Sequence, residues 1–275
     1  MPMPRTNAVH WSTLSAALLA ACASVETVVP PTQLPEVRPG YVAGYLQPGQ
    51  LPDTLAMLAP PPAPGSAAAA ADAEAYKATR RLKDTPRWAL AARDAELRFP
   101  KAAEHFACAL GIAVSAQATP HLNMLLRRVR MDSSRANDKP KDHYKRPRPF
   151  MVAKEPSCTP ASDASAKPDS YPSGHASIGW AWALTLAEVA PEKANAILAR
   201  GHAYGNSRVV CGVHYPSDVE AGRVVGASTV AVLHADPVYT AQVALARKEV
   251  LAAWASGSRP AADCDAESRA LALDR

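Results

Sequence analysis

Apolar residues recur at three- and four-residue spacing through most of the chain after about residue 66, and this is the period of amphipathic helices. Predicted helices start at about residue 66 and cover residues 87–99, 100–111, 120–131, 175–190, 191–210, 214–235 and 237–255. Breaks fall at Pro100, Gly111 and Pro120. No strand pattern of any length and no internal repeat is visible. The expected fold class is therefore all-α.

Two stretches interrupt the helical pattern. Residues 24–65 are rich in proline and short of charge, and proline lacks the N–H that helices and strand ladders need. Residues 132–172 are polar and rich in proline, serine and lysine, which predicts a long, functional loop region. The predicted divisions are a leader at 1–21, a Pro-rich tether or surface-wrapping extension at 22–65, one helical domain at 66–258, and a tail at 259–275 that Cys264 would pin down.

The first 21 residues are typical of a secretory signal peptide. Arg5 supplies a positive start, and residues 12–21 form a short apolar run followed by small residues. Residues 19–22 (LAAC) resemble the lipobox of bacterial lipoproteins, in which Cys22 would be lipidated. Simple cleavage at the small residues around Cys22 is the alternative. We predict a periplasmic or secreted protein, either anchored to a membrane through Cys22 or released.

Charge and hydropathy narrow the function classes. The formal net charge is +5 over 275 residues, and basic residues alternate with acidic ones over most of the chain. No basic stripe for nucleic acid is visible, so nucleic-acid binding is not expected. The apolar runs after the leader are shorter than the ~20 residues that span a bilayer.

The five cysteines are an odd number, which needs an explanation in an exported protein. Lipidation or removal of Cys22 leaves four, and four cysteines permit three pairings. We favour Cys158–Cys211 and Cys108–Cys264, with buried free thiols as the alternative. No CxxC pair or short-spaced Cys/His set occurs, so no metal site is predicted.

Three short segments carry the candidate chemistry. They contain, in order, Lys141 and Arg148; Pro172-Ser173-Gly174-His175; and Arg208, His214 and Asp218. A phosphoryl group in transfer spreads negative charge over its oxygens, and a guanidinium offers it paired donors. We therefore predict Lys141, Arg148 and Arg208 as phosphate ligands, with ordinary solvated cations as the alternative.

The second segment reads as a turn that starts a helix. Ser173 is placed to cap this helix, and the free N–H groups of a helix start favour an anion. Gly174 permits close backbone approach to that anion. His175 would stand in the first turn and protonate the leaving alkoxide as general acid. A plain helix cap with a polar histidine is the alternative.

In the third segment, His214 and Asp218 are four residues apart at another helix start. A carboxylate beside a histidine fixes its tautomer and stabilises the imidazolium. We predict that His214 is the nucleophile and forms a phosphohistidine, with nearby cations lowering its pKa. A structural hydrogen bond between His214 and Asp218 is the alternative.

The three segments resemble, in order and spacing, the signature of the type-2 phosphatidic acid phosphatase superfamily, which includes the vanadium haloperoxidases. Residues 141–223 are most similar to the bacterial class A non-specific acid phosphatases, for example at 170–175 (SYPSGH), 177–181 (SIGWA) and 207–214 (SRVVCGVH). The resemblance extends to 58–62 and 85–88 upstream and to about 249 downstream. It implies an all-α, cofactor-free and metal-independent phosphatase of small phosphate monoesters, with the residue roles given above and Ser173 and Gly174 as further phosphate ligands.

Two residues depart from the class pattern: Asp169 stands where it usually has glycine, and Ala176 where it usually has threonine. They bear on substrate range and pH optimum. The alternatives are a lipid phosphate phosphatase, a vanadate-dependent haloperoxidase and a non-catalytic phosphate-binding lipoprotein. The short apolar runs disfavour the lipid phosphate phosphatase, and the small size disfavours the haloperoxidase. The two histidines with their carboxylate disfavour a non-catalytic binding protein. We expect residues 151–170 and the Pro-rich extension to form pocket walls, and the extension to wrap a partner subunit in a homo-oligomer.

Overall fold

The computed structural model describes residues 1–2, 28–159 and 169–274. Residues 3–21 of the predicted leader and the predicted lipidation site Cys22 lie outside these residues, as does part of the predicted loop, at 160–168. Helices dominate the described ranges, which confirms the all-α class. None of these helices is both long enough and apolar enough to cross a membrane.

The α-helices, in chain order, are α1 (Thr54–Met57), α2 (Ala67–Thr79), α3 (Pro86–Arg93), α4 (Ala107–Leu110), α5 (Pro120–Arg135), α6 (Asp138–Tyr144), α7 (Pro149–Ala153), α8 (Gly174–Val189), α9 (Ala194–Val210), α10 (Pro216–Leu233), α11 (Pro237–Ala255) and α12 (Cys264–Ala272). Short 3-10 helices lie at Pro48–Gln50, Arg80–Leu82, Lys101–Phe106 and Pro191–Lys193. Strands β1 (Glu36–Arg38) and β2 (Tyr41–Val42) form a small antiparallel pair. A pairing this short has no alternating pattern of apolar and polar residues, so it is not predicted from the sequence.

Helix α8 lies at the centre of the molecule, with α5, α9, α10 and α11 packed around it. Its sequence is apolar on all sides, which is typical of a buried helix. Ile178, Trp182 and Leu186 are buried in the main core. The indole N–H of Trp182 donates to the carbonyl of Leu126 at 2.8 Å, so its one polar atom is satisfied. Gly174 and His175 of the second predicted segment are therefore carried on a helix of the main core.

Glycine permits the close approach of α8 and α10. A Cβ added at Gly222 would lie 2.4 Å from the carbonyl oxygen of Ser173, and one at Gly226 would lie 2.4 Å from that of Ser177. Because glycine has no side chain at these two positions, the start of α8 can lie directly against α10. The backbone N–H of Ser173 donates to the carbonyl of Asp218 at 2.9 Å, which joins the second and third motif segments.

Several predicted boundaries are wrong. Helix α3 ends at Arg93 rather than continuing to 99, and much of the predicted helix at 100–111 is the 3-10 helix Lys101–Phe106. The predicted loop at 132–172 contains the end of α5, together with α6 and α7, and the predicted tail forms α12. Helices α6 and α7 are too short to show a clear apolar period. Helix α5 continues because its polar residue Asp132 is fully buried under the Pro-rich segment.

The described part of the Pro-rich segment packs on the helical body. Tyr45 and Leu46 belong to the main core, and their backbone N–H groups donate to the Asp132 carboxylate at 2.7 and 3.2 Å. The Tyr45 hydroxyl donates to the side-chain carbonyl of Gln242 in α11 at 2.8 Å. The Gln242 amide in turn donates to the carbonyl of Pro31 at 3.1 Å. This segment is thus part of the folded unit.

Both favoured disulfides are present. Cys158–Cys211 joins the segment after α7 to the end of α9, with 4.7 Å between the Cα atoms. Cys108–Cys264 joins α4 to α12, with 5.4 Å between the Cα atoms. The prediction that Cys264 pins the C-terminal segment is therefore confirmed, and the free-thiol alternative is wrong for these four residues.

Candidate active site

A cavity of about 420 Å³ opens where the three predicted segments meet. Arg148, His175, Arg208 and His214 all line it. Tyr41 from β2 and the Cys158–Thr159 stretch form part of the wall, so the Pro-rich segment and the predicted loop region contribute as expected. The fold thus brings residues of β2, α8, α9 and the segments just before α7 and α10 to one site.

His214 lies just before α10 and has a partner at each ring nitrogen. Arg148 Nη1 lies 3.1 Å from His214 Nε2. A guanidinium can only donate, so Nε2 must accept and the ring proton belongs on Nδ1. His214 Nδ1 lies 3.4 Å from Ser170 Oγ and 3.6 Å from Asp218 Oδ2. This tautomer leaves the lone pair on Nε2, beside the cations of the cavity.

The surroundings of His214 favour its neutral form. Burial lowers the pKa of His214 well below its ordinary value, and the positive charges of Arg148 and Lys141 lower it further. A neutral imidazole keeps its lone pair on Nε2, and this is the form that the predicted role of His214 requires.

The Asp218 carboxylate is fully buried and is held from several directions. Its Oδ2 accepts from the backbone N–H of Tyr215 at 2.8 Å and from the Ser170 hydroxyl at 2.6 Å. Its Oδ1 accepts from Arg146 Nη1 at 2.6 Å, and Arg146 Nη2 donates to Asp72 of α2 at 2.9 Å. The carboxylate is therefore fixed and charge-compensated before any substrate binds.

His175 stands in the first turn of α8, as the sequence predicts. Its Nε2 lies 3.0 Å from the carbonyl oxygen of Ala95. A carbonyl can only accept, so Nε2 carries a proton and Nδ1 is the nitrogen that gains or loses the second one. Burial lowers the pKa of His175 well below its ordinary value, with the Arg208 charge as the next cause. An anion bound in the cavity would raise this pKa.

Arg208 projects from α9 into the cavity wall and is buried. Its Nη1 donates to the carbonyl of Ala91 at 3.3 Å. Burial lowers the pKa of Arg208 to about 10, so the side chain stays charged at neutral pH. Its Nε is buried without a hydrogen-bond partner among the described residues. A buried, charged donor beside a cavity fits an anion site.

Lys141, Ser173 and Gly174 lie together at the start of α8, next to the cavity rather than in its lining. Lys141 Nζ donates to the backbone carbonyl of Asp169 at 2.5 Å. Burial lowers the pKa of Lys141 to about 8, with the Arg148 charge as the next cause. Ser173 Oγ accepts from the N–H of Ala176 at 3.3 Å, so the predicted helix cap is confirmed.

Comparison with known proteins identifies the family. The model of the PAP2 superfamily matches residues 109–241, which include every site residue from Lys141 to Asp218. An acid phosphatase of Zymomonas mobilis is 41% identical over 209 residues, covering 76% of this chain and 79% of the relative. The chain belongs to the PAP2 superfamily. It is a phosphatase, and the resemblance drawn from its three segments is confirmed.

Two further relatives support this place within the PAP2 superfamily. A non-specific acid phosphatase of Providencia stuartii is 39% identical over 228 residues, covering 82% of this chain and 91% of the relative. A non-specific acid phosphatase of Salmonella typhimurium is 37% identical over 195 residues, covering 70% and 78%. The similarity therefore reaches well beyond the matched PAP2 region.

Arg148, which contacts His214 Nε2 in this PAP2 phosphatase, is itself held on several sides. Its Nη1 also donates to the carbonyl of Val213 at 3.2 Å. Its Nη2 and Nε donate to Asp169 Oδ1 at 2.7 and 3.2 Å. Asp169, noted above only as a departure from the class pattern, thus touches a predicted phosphate ligand directly.

Sequence reasoning missed three positioning residues of the PAP2 site. Arg146 and Ser170 hold Asp218, and Asp72 holds Arg146. Ser170 stood next to the Ser-Gly turn, which was its only local signal. Asp72 lies in an alanine-rich helix with no signal at all. Among the described residues, no group of three or more His, Cys, Asp or Glu side chains is arranged to hold a metal ion.

Proposed function

We propose that this phosphatase hydrolyses a broad range of phosphate monoesters through a phosphohistidine on His214, without a metal ion. The observation that carries the proposal is the hydrogen bonding of His214. Arg148 fixes Nε2 as the acceptor, and Asp218 with Ser170 faces the protonated Nδ1. Such an imidazole is oriented for attack from Nε2, in a cavity that also holds Arg208 and His175.

In the first step, the Nε2 lone pair attacks phosphorus and the bond from phosphorus to the ester oxygen breaks. His175 gives its Nδ1 proton to the leaving oxygen, which departs as an alcohol. The positive charge that develops on the His214 ring is stabilised by Asp218. Arg148 and Arg208, with Lys141 and the N–H groups at Ser173 and Gly174, would bear the charge of the phosphoryl oxygens.

In the second step, His175 is neutral and takes a proton from water. The water oxygen attacks phosphorus, the bond to His214 Nε2 breaks, and orthophosphate leaves. His214 is neutral again and His175 is protonated, so the cycle closes. An alcohol in place of water would receive the phosphoryl group, which gives phosphotransfer.

The cavity wall supports a broad substrate range. Beyond the phosphate groups its lining is mixed, with the apolar Leu97 and Val213 beside the polar Tyr41, Glu96 and Arg98. Such a lining does not select one leaving group, and the names of the non-specific acid phosphatases of Providencia stuartii and Salmonella typhimurium agree with a broad range.

Export to the periplasm or the medium is part of the proposal. The two disulfides support it, because such bonds persist in oxidising compartments. Acylation of Cys22 and assembly into a homo-oligomer stay predictions of the sequence. Mass determination of the mature N-terminus tests the first, and sedimentation of the purified protein tests the second.

The test of the chemistry is hydrolysis of p-nitrophenyl phosphate at about pH 6 in excess EDTA. We expect wild-type turnover to persist, and His214→Ala to lose it on the order of 10³-fold or more. His234→Ala is the matched control, because His234 follows the far end of α10 and is half-exposed. Loss of wild-type activity in EDTA, or substantial turnover by His214→Ala, would contradict a metal-free histidine nucleophile.

A further inference from the structure

Asp169 occupies the edge of Arg148 that an anion would bind. Its Oδ1 accepts from both Nη2 and Nε of Arg148, at 2.7 and 3.2 Å. The same paired donors bind carboxylate and phosphate, because both ligands present oxygens at the spacing of the guanidinium fork. A carboxylate of the chain thus holds donors that the proposed mechanism assigns to the substrate.

The position of Arg148 gives this contact its importance. The Nη1 of the same guanidinium lies 3.1 Å from His214 Nε2, the atom proposed to attack phosphorus. While Asp169 holds the other edge, Arg148 stays against the lone pair of His214. An entering phosphate must therefore draw Arg148 away from both Asp169 and His214.

We propose that Asp169 is a built-in competitor for phosphate at Arg148, and that it sets the affinity of the site for the phosphoryl group. The inference rests on the proposed function, in which Arg148 is a phosphate ligand beside the nucleophile. Asp169 makes and breaks no bond in the reaction. Its competition weakens the binding of substrate and of product orthophosphate alike.

The exposure of the Asp169 side chain indicates that its carboxylate can turn away from Arg148 without a movement of the backbone. Its side chain is 26% exposed and that of Arg148 is 10% exposed, so the carboxylate has solvent to turn into. The peptide unit after Asp169 is fixed at both of its polar groups, because Lys141 Nζ donates to the Asp169 carbonyl and the Ser170 N–H donates to the Arg146 carbonyl at 3.0 Å. Solvent reaches the Asp169 side of this ion pair and weakens it there, so phosphate can compete with Asp169 for Arg148.

Charge adds to the competition. Even when displaced, the Asp169 carboxylate stays near the bound phosphate and repels it, more strongly when the phosphate is a dianion. Binding is therefore weaker than the cations alone would give, and orthophosphate leaves more easily. Asp169 would raise both KM and the inhibition constant of orthophosphate, with little effect on the bond-breaking step.

The experiment compares wild type with Asp169→Asn and Asp169→Ala. The dissociation constant of orthophosphate is measured by calorimetry, which needs no turnover, and kcat and KM are measured with p-nitrophenyl phosphate. We expect the dissociation constant and KM to fall about tenfold in both variants, with kcat changed less than about threefold. Asp142→Asn is the matched control, because Asp142 is exposed in the neighbouring helix α6, and its loss should change neither constant.

Unchanged or weaker orthophosphate binding in both Asp169 variants would overturn the proposal, and so would a loss of kcat without a change in binding. Either result would make Asp169 a positioning residue that aims Arg148. Thermal unfolding verifies that each variant is folded. Failure of the proposed mechanism is seen separately, as turnover that survives His214→Ala, and it leaves the comparison of binding constants intact.

Discussion

At the residue scale, the two histidines of the cavity are distinguished by their hydrogen-bond partners. His214 accepts at Nε2 from Arg148, whereas His175 donates from Nε2 to the carbonyl of Ala95. Opposite tautomers follow, and with them opposite tasks. Burial lowers the pKa of each ring before substrate arrives, which suits the proposed nucleophile His214 and opposes the proposed acid His175. The substrate itself must therefore help to protonate His175.

The pH dependence should show this contribution of the substrate. His175 must be protonated in the first step, and protonation is lost as pH rises through its pKa. In the free enzyme that pKa is lowered, whereas the negative charge of a bound phosphate raises it. We expect kcat/KM to fall at lower pH than kcat, because the first reports the free enzyme and the second the complex.

Steady-state kinetics from about pH 4 to 9 check this expectation, and the optimum should lie between about pH 5 and 7. A flat rate across about pH 5–9 would contradict His175 as the acid. His175→Ala is the reference variant, since its residual activity should lack the alkaline fall of the wild type.

At the scale of elements, the site depends on the close approach of α8 and α10 and on the turn that follows α3. The turn after α3 begins with Asp94, which is fully buried and accepts from both terminal nitrogens of Arg200 at 3.2 and 2.5 Å and from Ser207 Oγ at 2.6 Å. The next residue, Ala95, accepts from His175. A buried ion pair thus fixes the carbonyl that sets the tautomer of the proposed acid.

The close approach of α8 and α10 is the second requirement of the site, and a substitution at Gly226 tests it. In Gly226→Ala the new Cβ would lie 2.4 Å from the Ser177 carbonyl oxygen and 3.1 Å from the Ala181 nitrogen, both backbone atoms of α8. We expect the free energy of unfolding to fall by about 1–3 kcal/mol, measured by urea denaturation, together with lower phosphatase activity. Gly49→Ala is the control, because nothing lies within 4 Å of its added Cβ. Equal stability of the two variants would mean that α8 and α10 can separate at no cost.

Local chemistry explains what the sequence could predict. The cap at Ser173 and the placement of His214 four residues before Asp218 depend on near neighbours, and both were found. Arg146 and Asp72 were missed because their contacts join residues more than 70 positions apart. Asp132 was placed in the predicted loop, because the sequence does not distinguish a solvated aspartate from a buried one. In the structure its carboxylate accepts from the backbone N–H groups of Tyr45 and Leu46.

At the scale of the whole molecule, the two disulfides close loops of very different length and lie in different places. Cys158–Cys211 spans 53 positions and Cys158 lines the cavity. Cys108–Cys264 spans 156 positions, and its cysteines do not line that cavity. The first bond therefore supports both stability and the site, whereas the second holds α12 on the body.

Replacing each pair by serine should separate these roles. We expect each double variant to lose about 2–4 kcal/mol in the free energy of unfolding, since both cross-links restrict the unfolded chain. The variant at 158 and 211 should also show reduced kcat/KM under conditions where it is fully folded, whereas the variant at 108 and 264 should keep wild-type kinetics. Chemical denaturation and p-nitrophenyl phosphate assays measure the two effects. Wild-type kinetics in the first variant would show that the cavity wall holds without its bond.

The contact between the Pro-rich segment and α11 has a consequence for biosynthesis. Tyr45 and Gln242 are 197 positions apart, and Pro31 and Gln242 are 211 apart. The ribosome makes the Pro-rich segment long before its partner in α11, so the segment must wait for the intervening chain before it can pack. A nascent polypeptide of this kind has no complete core while it is being made. Until α11 has been made, such a chain would stay extended enough to pass through a translocation channel.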